Sequence, residues 1–310
     1  MKSEVKQFLD DNGIDYKEVM EDGSFVLWYG NPNGKRSYQI RYVDAKDYPI
    51  AYPKYEIEGV EKDYFFRKSY EAENNNSFIL WIKSFEWEND RQREVLKSYI
   101  LHAANKTPNS FYARNCIVSK VDSKEARRFE AENCFYGKRG ASLNLGLYLK
   151  KEINGLPANT LIMLYTFGKN FFGKNDDVIE VIRVGTLKFA HVVGGSSKLL
   201  SYFIKNYKMM RIGKHTIKVK YLKFYSDYDH NIGGSMDKVG FEFVNYSEGG
   251  FMNYWIEDRK IKNREPMHHK KVMEQMRNGE VIAIPNAGVK TFLITLPDYE
   301  QVNKVDLWFK

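Results

Sequence analysis

Residues 192–206 read VVGGSSKLLSYFIKN and predict a strand, a tight turn and a helix in succession. The apolar start is typical of a buried strand, and Leu199, Leu200 and Phe203 recur at the spacing of one helix face. Gly194 and Gly195 would let backbone N–H groups approach an anion at the positive end of the helix dipole. The stretch therefore predicts an α/β fold with a phosphate-capable turn, although a strand-glycine-helix connection is also ordinary chain geometry.

Further strands and helices are predicted on both sides of this turn. After residue 111 the apolar patterns predict strands at 115–121, 143–149, 160–167, 178–184 and 218–224, with a helix at 196–206. Before it they predict helices at 4–11, 63–73 and 89–104, and strands at 24–29, 37–43, 55–59 and 77–82. The order favours an α/β (α+β) protein of two domains, residues 1–110 and 111–310.

The composition excludes several classes of protein. The 310 residues include no run of 18 apolar residues, and the first eleven, MKSEVKQFLDD, are charged, so we expect neither membrane insertion nor secretion. Two cysteines, Cys116 and Cys134, are too few for a disulfide framework. A reducing, cytoplasmic location is expected.

The positive charge is concentrated in the second part of the chain. Residues 1–115 contain 17 Lys and Arg against 19 Asp and Glu, whereas residues 116–310 contain 31 against 21. Such a surplus attracts polyanions through phosphate neutralisation, so DNA is the expected partner, with a merely soluble basic surface as the alternative. The charge is densest in a tract that includes Arg259, Lys260, Lys262, Arg264, Lys270 and Lys271.

Several segments resemble those of a phage protein family. Residues 77–118, which end in the Tyr112-Ala113-Arg114 opening, resemble the domain junction of phage homing-endonuclease-like proteins. In these proteins a very-short-patch-repair-like nuclease fold precedes a domain similar to GNAT acyltransferases and to Mom-type DNA-modification enzymes. The matching segments of the second domain are AENCFYG (131–137), LNLGLY (143–148), VIEVIRVGT (178–186), VVGGSSKLLSYFIKN (192–206), residues 225–243 and the basic tract.

The resemblance implies a degenerate nuclease fold in residues 1–110. Nucleases of that fold hold Mg²⁺ with an aspartate on a central strand and a nearby glutamate. Glu56 matches the glutamate, but Gln39 stands where the aspartate is expected, and Asp44 and Asp47 are poorly placed to replace it. Mg²⁺ is therefore expected only if this domain is active, and Glu56 is otherwise a solvated strand residue.

The resemblance also implies a catalytic set in the GNAT-like domain. Asp227 matches an aspartate that is important in Mom-like domains, and His230 is the titratable neighbour that follows it. Cys134 stands where the family has histidine, so either the base is lost or a thiol replaces it. Gly194, Gly195, Ser196, Ser197, Lys198 and Arg183 would hold an acyl-CoA or a related phosphate-bearing donor.

Three hypotheses for the function follow, and the sequence leaves both catalytic activity and oligomeric state open. The first is transfer of an acyl-type group to a DNA base amine, with Asp227 assisting the amine. The second is a homing-type DNA endonuclease that uses Glu56. The third is a non-catalytic DNA-binding or inhibitory descendant of such enzymes. Acyl transfer is favoured over Mg²⁺-dependent cleavage, and the association is with DNA in a phage setting.

Overall fold

A computed structural model describes most of the chain. The described residues are 2–21, 24–30, 36–43, 64–170, 177–231, 233–234, 236–247, 251–257, 260–264, 274, 278 and 281–297. Their helices are α1 (Lys2–Asp11), α2 (Tyr64–Asn74), α3 (Ser84–Glu88), α4 (Asp90–Ala103), α5 (Ser123–Asn133) and α6 (Gly195–Asn206). No helix among these residues is both long and apolar enough to cross a membrane.

The described residues also form eighteen strands. The first nine are β1 (Tyr16–Glu21), β2 (Ser24–Gly30), β3 (Ser37–Val43), β4 (Ser77–Lys83), β5 (Asn109–Tyr112), β6 (Cys116–Lys120), β7 (Leu143–Leu149), β8 (Leu161–Lys169) and β9 (Val178–Thr186). The others are β10 (Ala190–Val193), β11 (Met209–Ile212), β12 (His215–Lys218), β13 (Tyr221–Asp227), β14 (Glu242–Ser247), β15 (Phe251–Glu257), β16 (Lys260–Arg264), β17 (Val281–Pro285) and β18 (Val289–Thr295).

The chain divides into two compact units. Unit 1 comprises residues 1–93, 227–232 and 246–289, and unit 2 comprises residues 94–226, 233–245 and 290–310. The mixture of helices and sheets confirms the predicted α/β (α+β) class. The assignment of residues 1–110 and 111–310 to a nuclease-like and a GNAT-like domain stays a prediction.

Unit 1 contains a four-stranded sheet in the order β1-β2-β3-β4. The first three strands are antiparallel, and β4 runs parallel to β3 after the crossover that contains α2. Every residue of β4 is buried, because α2 packs on the strand and because Trp81 contacts Phe65 with ring centroids 4.3 Å apart. A fully buried strand has to be apolar along its length, and SFILWIK meets this requirement until Lys83.

Lys83 is fully buried and forms an ion pair inside unit 1. Its Nζ lies 2.6 Å from Asp229 Oδ2 and 3.9 Å from Glu86 Oε1, and the side chains of all three residues are inaccessible to solvent. Burial lowers the pKa of Lys83, but the charges of Asp229 and Glu86 outweigh it, so the net pKa is raised. The Ala287 N–H donates to Asp229 Oδ1 over 2.7 Å, which joins three distant stretches of sequence.

Unit 2 is built around a seven-stranded sheet in the order β14-β18-β13-β9-β8-β7-β6. Strands β6 to β9 form an antiparallel meander, and β13 runs parallel to β9. One sheet face packs on α6 in a large apolar cluster, where Phe203 stacks on Phe167 at 4.2 Å. The opposite face carries α5, which packs on β9.

Most predicted elements lie within two residues of the observed ones, but the strand predicted at 218–224 is wrong. There β12 ends at Lys218 and β13 begins at Tyr221. The break arises because the Val219 N–H bonds to Lys208, while the N–H groups of Lys220 and Tyr221 both bond to the Asp177 carbonyl. The strand predicted at 55–59 lies outside the described residues.

The buried ion pair gives a prediction about stability. Replacing Lys83 with methionine should lower the free energy of unfolding by about 3–5 kcal/mol, because Asp229 and Glu86 would remain buried without their cation. The exposed Lys17→Met change in β1 is the control and should shift it by less than about 0.5 kcal/mol. Urea denaturation measures both. Equal effects of the two changes would contradict a stabilising role for the pair.

Candidate functional site

Strands β9 and β13 of unit 2 separate part of the way along their length. Their pairing runs from Val178 and Tyr221 to Val181 and Phe224. Both strands continue past the last pair, β9 as far as Thr186. Where β9 pairs with β8, β9 contains one residue more than β8, because Val181 pairs with Phe167 and Arg183 pairs with Thr166. Such a bulge bends a strand and increases its twist, which accounts for the separation.

Polar side chains line the sheet face opposite α6. Along the strands these polar residues alternate with residues of the large apolar cluster that packs on α6. Their side chains therefore point to the opposite face of the sheet. Asn144 pairs with Thr166, Thr166 with Arg183, and Glu180 with Lys223. Apart from the half-buried Arg183, these residues are buried. We call this set, Asn144, Thr166, Glu180, Arg183 and Lys223, the polar face.

Helix α5 adds Glu130 to the polar face. Only 1% of Glu130 is exposed, and its Oε2 accepts a hydrogen bond from the Arg139 N–H over 2.8 Å. Burial raises the pKa of Glu130, although the Arg139 N–H and the charge of Arg183 oppose the shift. A hydrogen bond from the Thr166 hydroxyl also opposes the shift. Glu130 is therefore a buried carboxylate that contacts the polar face through Thr166.

Two polar groups near this face lack partners in the described part of unit 2. They are Arg183 Nε and Asn170 Nδ2, and Asn170 is only 3% exposed. A buried donor or acceptor without a partner costs about 1–3 kcal/mol. A polar ligand that accepts hydrogen bonds would satisfy both donors.

Lys223 is the buried lysine of the polar face. Its Nζ bonds to Asn170 Oδ1 at 3.2 Å and lies 4.9 Å from the ring centroid of Tyr225. Burial lowers the pKa of Lys223 to about 8, with the charge of Glu180 opposing the shift. Near neutral pH this amine exchanges protons far more readily than a surface lysine does.

The N-terminus of α6 lies at the sheet end where β9 finishes. A Cβ on Gly195 would lie 2.5 Å from Met163 Sδ, and Met163 pairs with Thr186, the last residue of β9. Because β13 is parallel to β9, its C-terminal end is at the same edge. The helix N-terminus and the opening between the strands therefore share one end of the sheet.

The predicted glycine turn has the expected backbone, with structural roles for two of its residues. Gly194 caps the helix in the left-handed conformation at φ 74°, and Gly195 has no room for a side chain. Lys198 Nζ donates to the carbonyls of Ala113 and Cys116 at 2.8 and 2.7 Å. Ser197 is exposed, whereas Ser196 is half-buried. Phosphate binding by this turn stays a prediction.

The structure brings two of the three predicted catalytic residues together. Asp227 Oδ2 lies 2.7 Å from His230 Nδ1, and its Oδ1 accepts the Asp229 N–H in an Asx-turn. Burial lowers the pKa of His230, but Asp227 and Glu86 outweigh it and raise the pKa to about 10. Both residues belong to unit 1.

Cys134, the third predicted catalytic residue, belongs to unit 2. It is 6% exposed and caps the C-terminus of α5, where its N–H bonds to the Glu130 carbonyl. A Cβ on Gly185 would lie 2.9 Å from its sulfur. Its charge also influences Arg183, which places the two predicted residues in one neighbourhood.

The remaining predicted site residues are described only in part. Gln39 is buried and bonds to Ser77 Oγ at 3.2 Å, while its Oε1 accepts from Arg41 at 3.3 Å. Glu56 lies outside the described residues, as do Arg259, Lys270 and Lys271. Lys260, Lys262 and Arg264 lie on β16, of which only the backbone is described.

Sequence reasoning missed most of the polar face. Of its residues only Arg183 was predicted, on the strength of a motif match. A signal was nonetheless present, because Glu180 and Lys223 each interrupt an apolar strand, VIEVIRV and YLKFYS. No protein-family model matches the chain, and no curated protein sequence matches it.

The environment of Lys223 gives a prediction about titration. In a lysine-labelled NMR titration its pKa should be about 8, and Glu180→Gln should lower it further because a nearby negative charge is removed. Asp177→Asn is the control, since Asp177 pairs with Lys220, and it should leave the Lys223 pKa unchanged. A Lys223 that titrates near the ordinary 10.5 would contradict the burial argument.

Proposed function

We propose that unit 2 transfers an acyl-type group from a phosphate-bearing donor, such as acyl-CoA, to an amine of a DNA base. The observation that carries the proposal is the partial pairing of β9 and β13. It leaves an opening in the sheet between the N-terminus of α6 and the polar face. Because the opening lies within the plane of the sheet, a ligand held there is accessible from both faces.

The residues at this end of the sheet fit the donor. The first N–H groups of α6, at Gly195, Ser196 and Ser197, have no acceptor within the helix and lie at its positive end. They would hold the phosphates, and the unpaired parts of β9 and β13 would hold the extended arm through backbone hydrogen bonds. The donor supplies the activated acyl carbon.

The polar face would receive the amine. Glu130 has the chemistry of a general base, because a carboxylate with a raised pKa accepts a proton from an attacking amine more readily. Arg183 Nε and Asn170 Nδ2 supply donors for the carbonyl or ring nitrogen acceptors of a base. Glu130 would take the amine proton as the nitrogen bonds to the acyl carbon. The carbon–sulfur bond of the donor would then break, and the leaving thiolate would take that proton from Glu130.

Charge supports DNA as the source of the amine. Unit 2 contains 27 lysines and arginines against 14 aspartates and glutamates, and this surplus of 13 positive charges favours a polyanion over a small neutral amine. The endonuclease alternative would place the chemistry in unit 1. There Gln39 is bound by Ser77 and Arg41 and supplies no carboxylate for Mg²⁺. Group transfer is therefore the function that we propose.

Donor binding at α6 is tested by adding a negative charge to the exposed Ser197. Ser197→Glu should weaken acetyl-CoA binding by about tenfold or more, because the carboxylate repels the phosphates. The same carboxylate stabilises the helix by about 0.3–1 kcal/mol through its dipole, so misfolding would not explain the loss. Isothermal titration calorimetry and thermal melting measure the two effects.

Ser201→Glu is the matched control, since Ser201 is exposed on the same helix further from its N-terminus. It should leave the affinity unchanged. If the unmodified protein does not bind acetyl-CoA, or if both substitutions weaken binding equally, donor binding at this turn is wrong.

The role of Glu130 is tested by the rate of transfer. Glu130→Gln should slow transfer of labelled acetyl groups to duplex DNA by about 10²–10⁴-fold, because the amide cannot accept the proton. Donor affinity should not change. Glu132→Gln, at an exposed position of the same helix, should keep the rate of the unmodified protein. An active Glu130→Gln variant would exclude Glu130 as the base.

A further inference from the structure

Strands β11 and β12 form a two-stranded ribbon on unit 2. The register pairs Met209 with Lys218 and Arg211 with Thr216. An isolated pair of short strands is only marginally stable in water. This pair is held on one side by Met210, Ile212 and Ile217, which pack on the large apolar cluster. The ribbon is thereby fixed with its other side turned outward.

The outward side of the ribbon is basic. Arg211, Thr216 and Lys218 are exposed there, and Lys214 is exposed in the connecting turn. Between Glu180 and Asp227 the chain contains ten lysines and arginines and not one aspartate or glutamate. A surface that served solubility alone would gain from both signs of charge. Of the ten cations, Arg211, Lys214 and Lys218 lie on the ribbon, and residues 209–218 contain no carboxylate, so the ribbon favours an anionic partner.

Met209 adds an exposed apolar side chain to the outward side of the ribbon. It is 54% exposed, and among the large hydrophobic residues in the described part of the chain only Met20 is more exposed. Met209 lies opposite Lys218 and next but one to Arg211. An apolar side chain makes no favourable contact with phosphates, whereas the edges of bases present methyl groups and carbon atoms that it can contact. The combination favours a nucleic acid whose bases are accessible.

We propose that the β11–β12 ribbon binds in the major groove of B-form duplex DNA. Neighbouring strands lie about 4.8 Å apart, and the groove is about 12 Å wide, so it admits a two-stranded ribbon. The major groove of A-form RNA is too deep and narrow for side chains to reach the bases. The choice of DNA as the partner rests on the proposed function. The ribbon adds the form of the DNA and the surface of unit 2 that binds it.

The test uses the full chain, without donor, and a fluorescent mixed-sequence DNA duplex of about 20 base pairs. The triple variant R211Q/K214Q/K218Q removes three exposed cations, and K2Q/K17Q/K106Q removes three exposed cations elsewhere. The slope of log affinity against log salt should fall by about three units for the ribbon variant, because each phosphate contact contributes about 0.9. It should change little for the control.

Each outcome decides the proposal. Selective loss of slope in the ribbon variant, with unchanged thermal melting, supports it. Equal loss in both variants shows nonspecific attraction and overturns it, as does absence of DNA binding by the unmodified protein. An RNA duplex of equal length that binds as tightly, with the same ribbon dependence, overturns groove binding. If the ribbon variant melts early, the single variant K214Q in the turn should still lower the slope by about one unit.

This test is independent of the transfer reaction. It measures DNA affinity alone, whereas the proposed function fails on acetyl-CoA binding or on the rate of the Glu130→Gln variant. DNA binding by the ribbon without donor binding would contradict the transfer and leave the ribbon proposal standing.

Discussion

The ion pair between Lys83 and Asp229 is the interaction on which unit 1 depends. It connects the end of β4 to a segment 146 residues later, with both side chains fully buried. The Trp81 N–H bonds to the Asp229 carbonyl at 3.0 Å, so backbone and side chain of the same residue bind the same strand. A buried ion pair of this kind adds little to the free energy of folding beyond what an apolar contact would add. It is favourable only when its charged groups meet in the correct geometry. It therefore specifies which segment completes unit 1 and at which register.

The buried polar groups of unit 2 differ from the ion pair of unit 1, because some of them have no partner in the described part of the chain. In unit 1 each charge of the pair is satisfied within the protein, whereas Arg183 Nε and Asn170 Nδ2 of unit 2 have no partner among the described residues. Such groups destabilise the fold by about 1–3 kcal/mol each. A ligand with matching donors and acceptors would recover this free energy on binding. The polar face of unit 2 is thus arranged for recognition, and the ion pair of unit 1 for assembly.

Local patterns predicted the elements, but not which residues meet in the site. SYQIRYV and LNLGLYL gave β3 and β7 without error, because their alternation and flanking turns are local signals. Helix α5 was not predicted, although Asp122 caps it by accepting the Lys124 N–H at 2.7 Å. Glu130 was missed for a related reason. Its role comes from burial against the sheet, and a single sequence does not contain that contact.

The two faces of the sheet explain why Lys223 looked like an ordinary strand residue. In YLKFYS every second residue, Leu222 and Phe224, enters the apolar cluster, and this alternation is typical of a strand with one face in water. The other face carries α5 and is buried, so the polar residues of the pattern are withdrawn from solvent together. Burial then lowers the pKa of Lys223 and raises that of Glu130. Two groups of opposite charge are both moved toward neutrality by one cause, and the Lys223 amine, with its pKa lowered to about 8, exchanges protons near neutral pH.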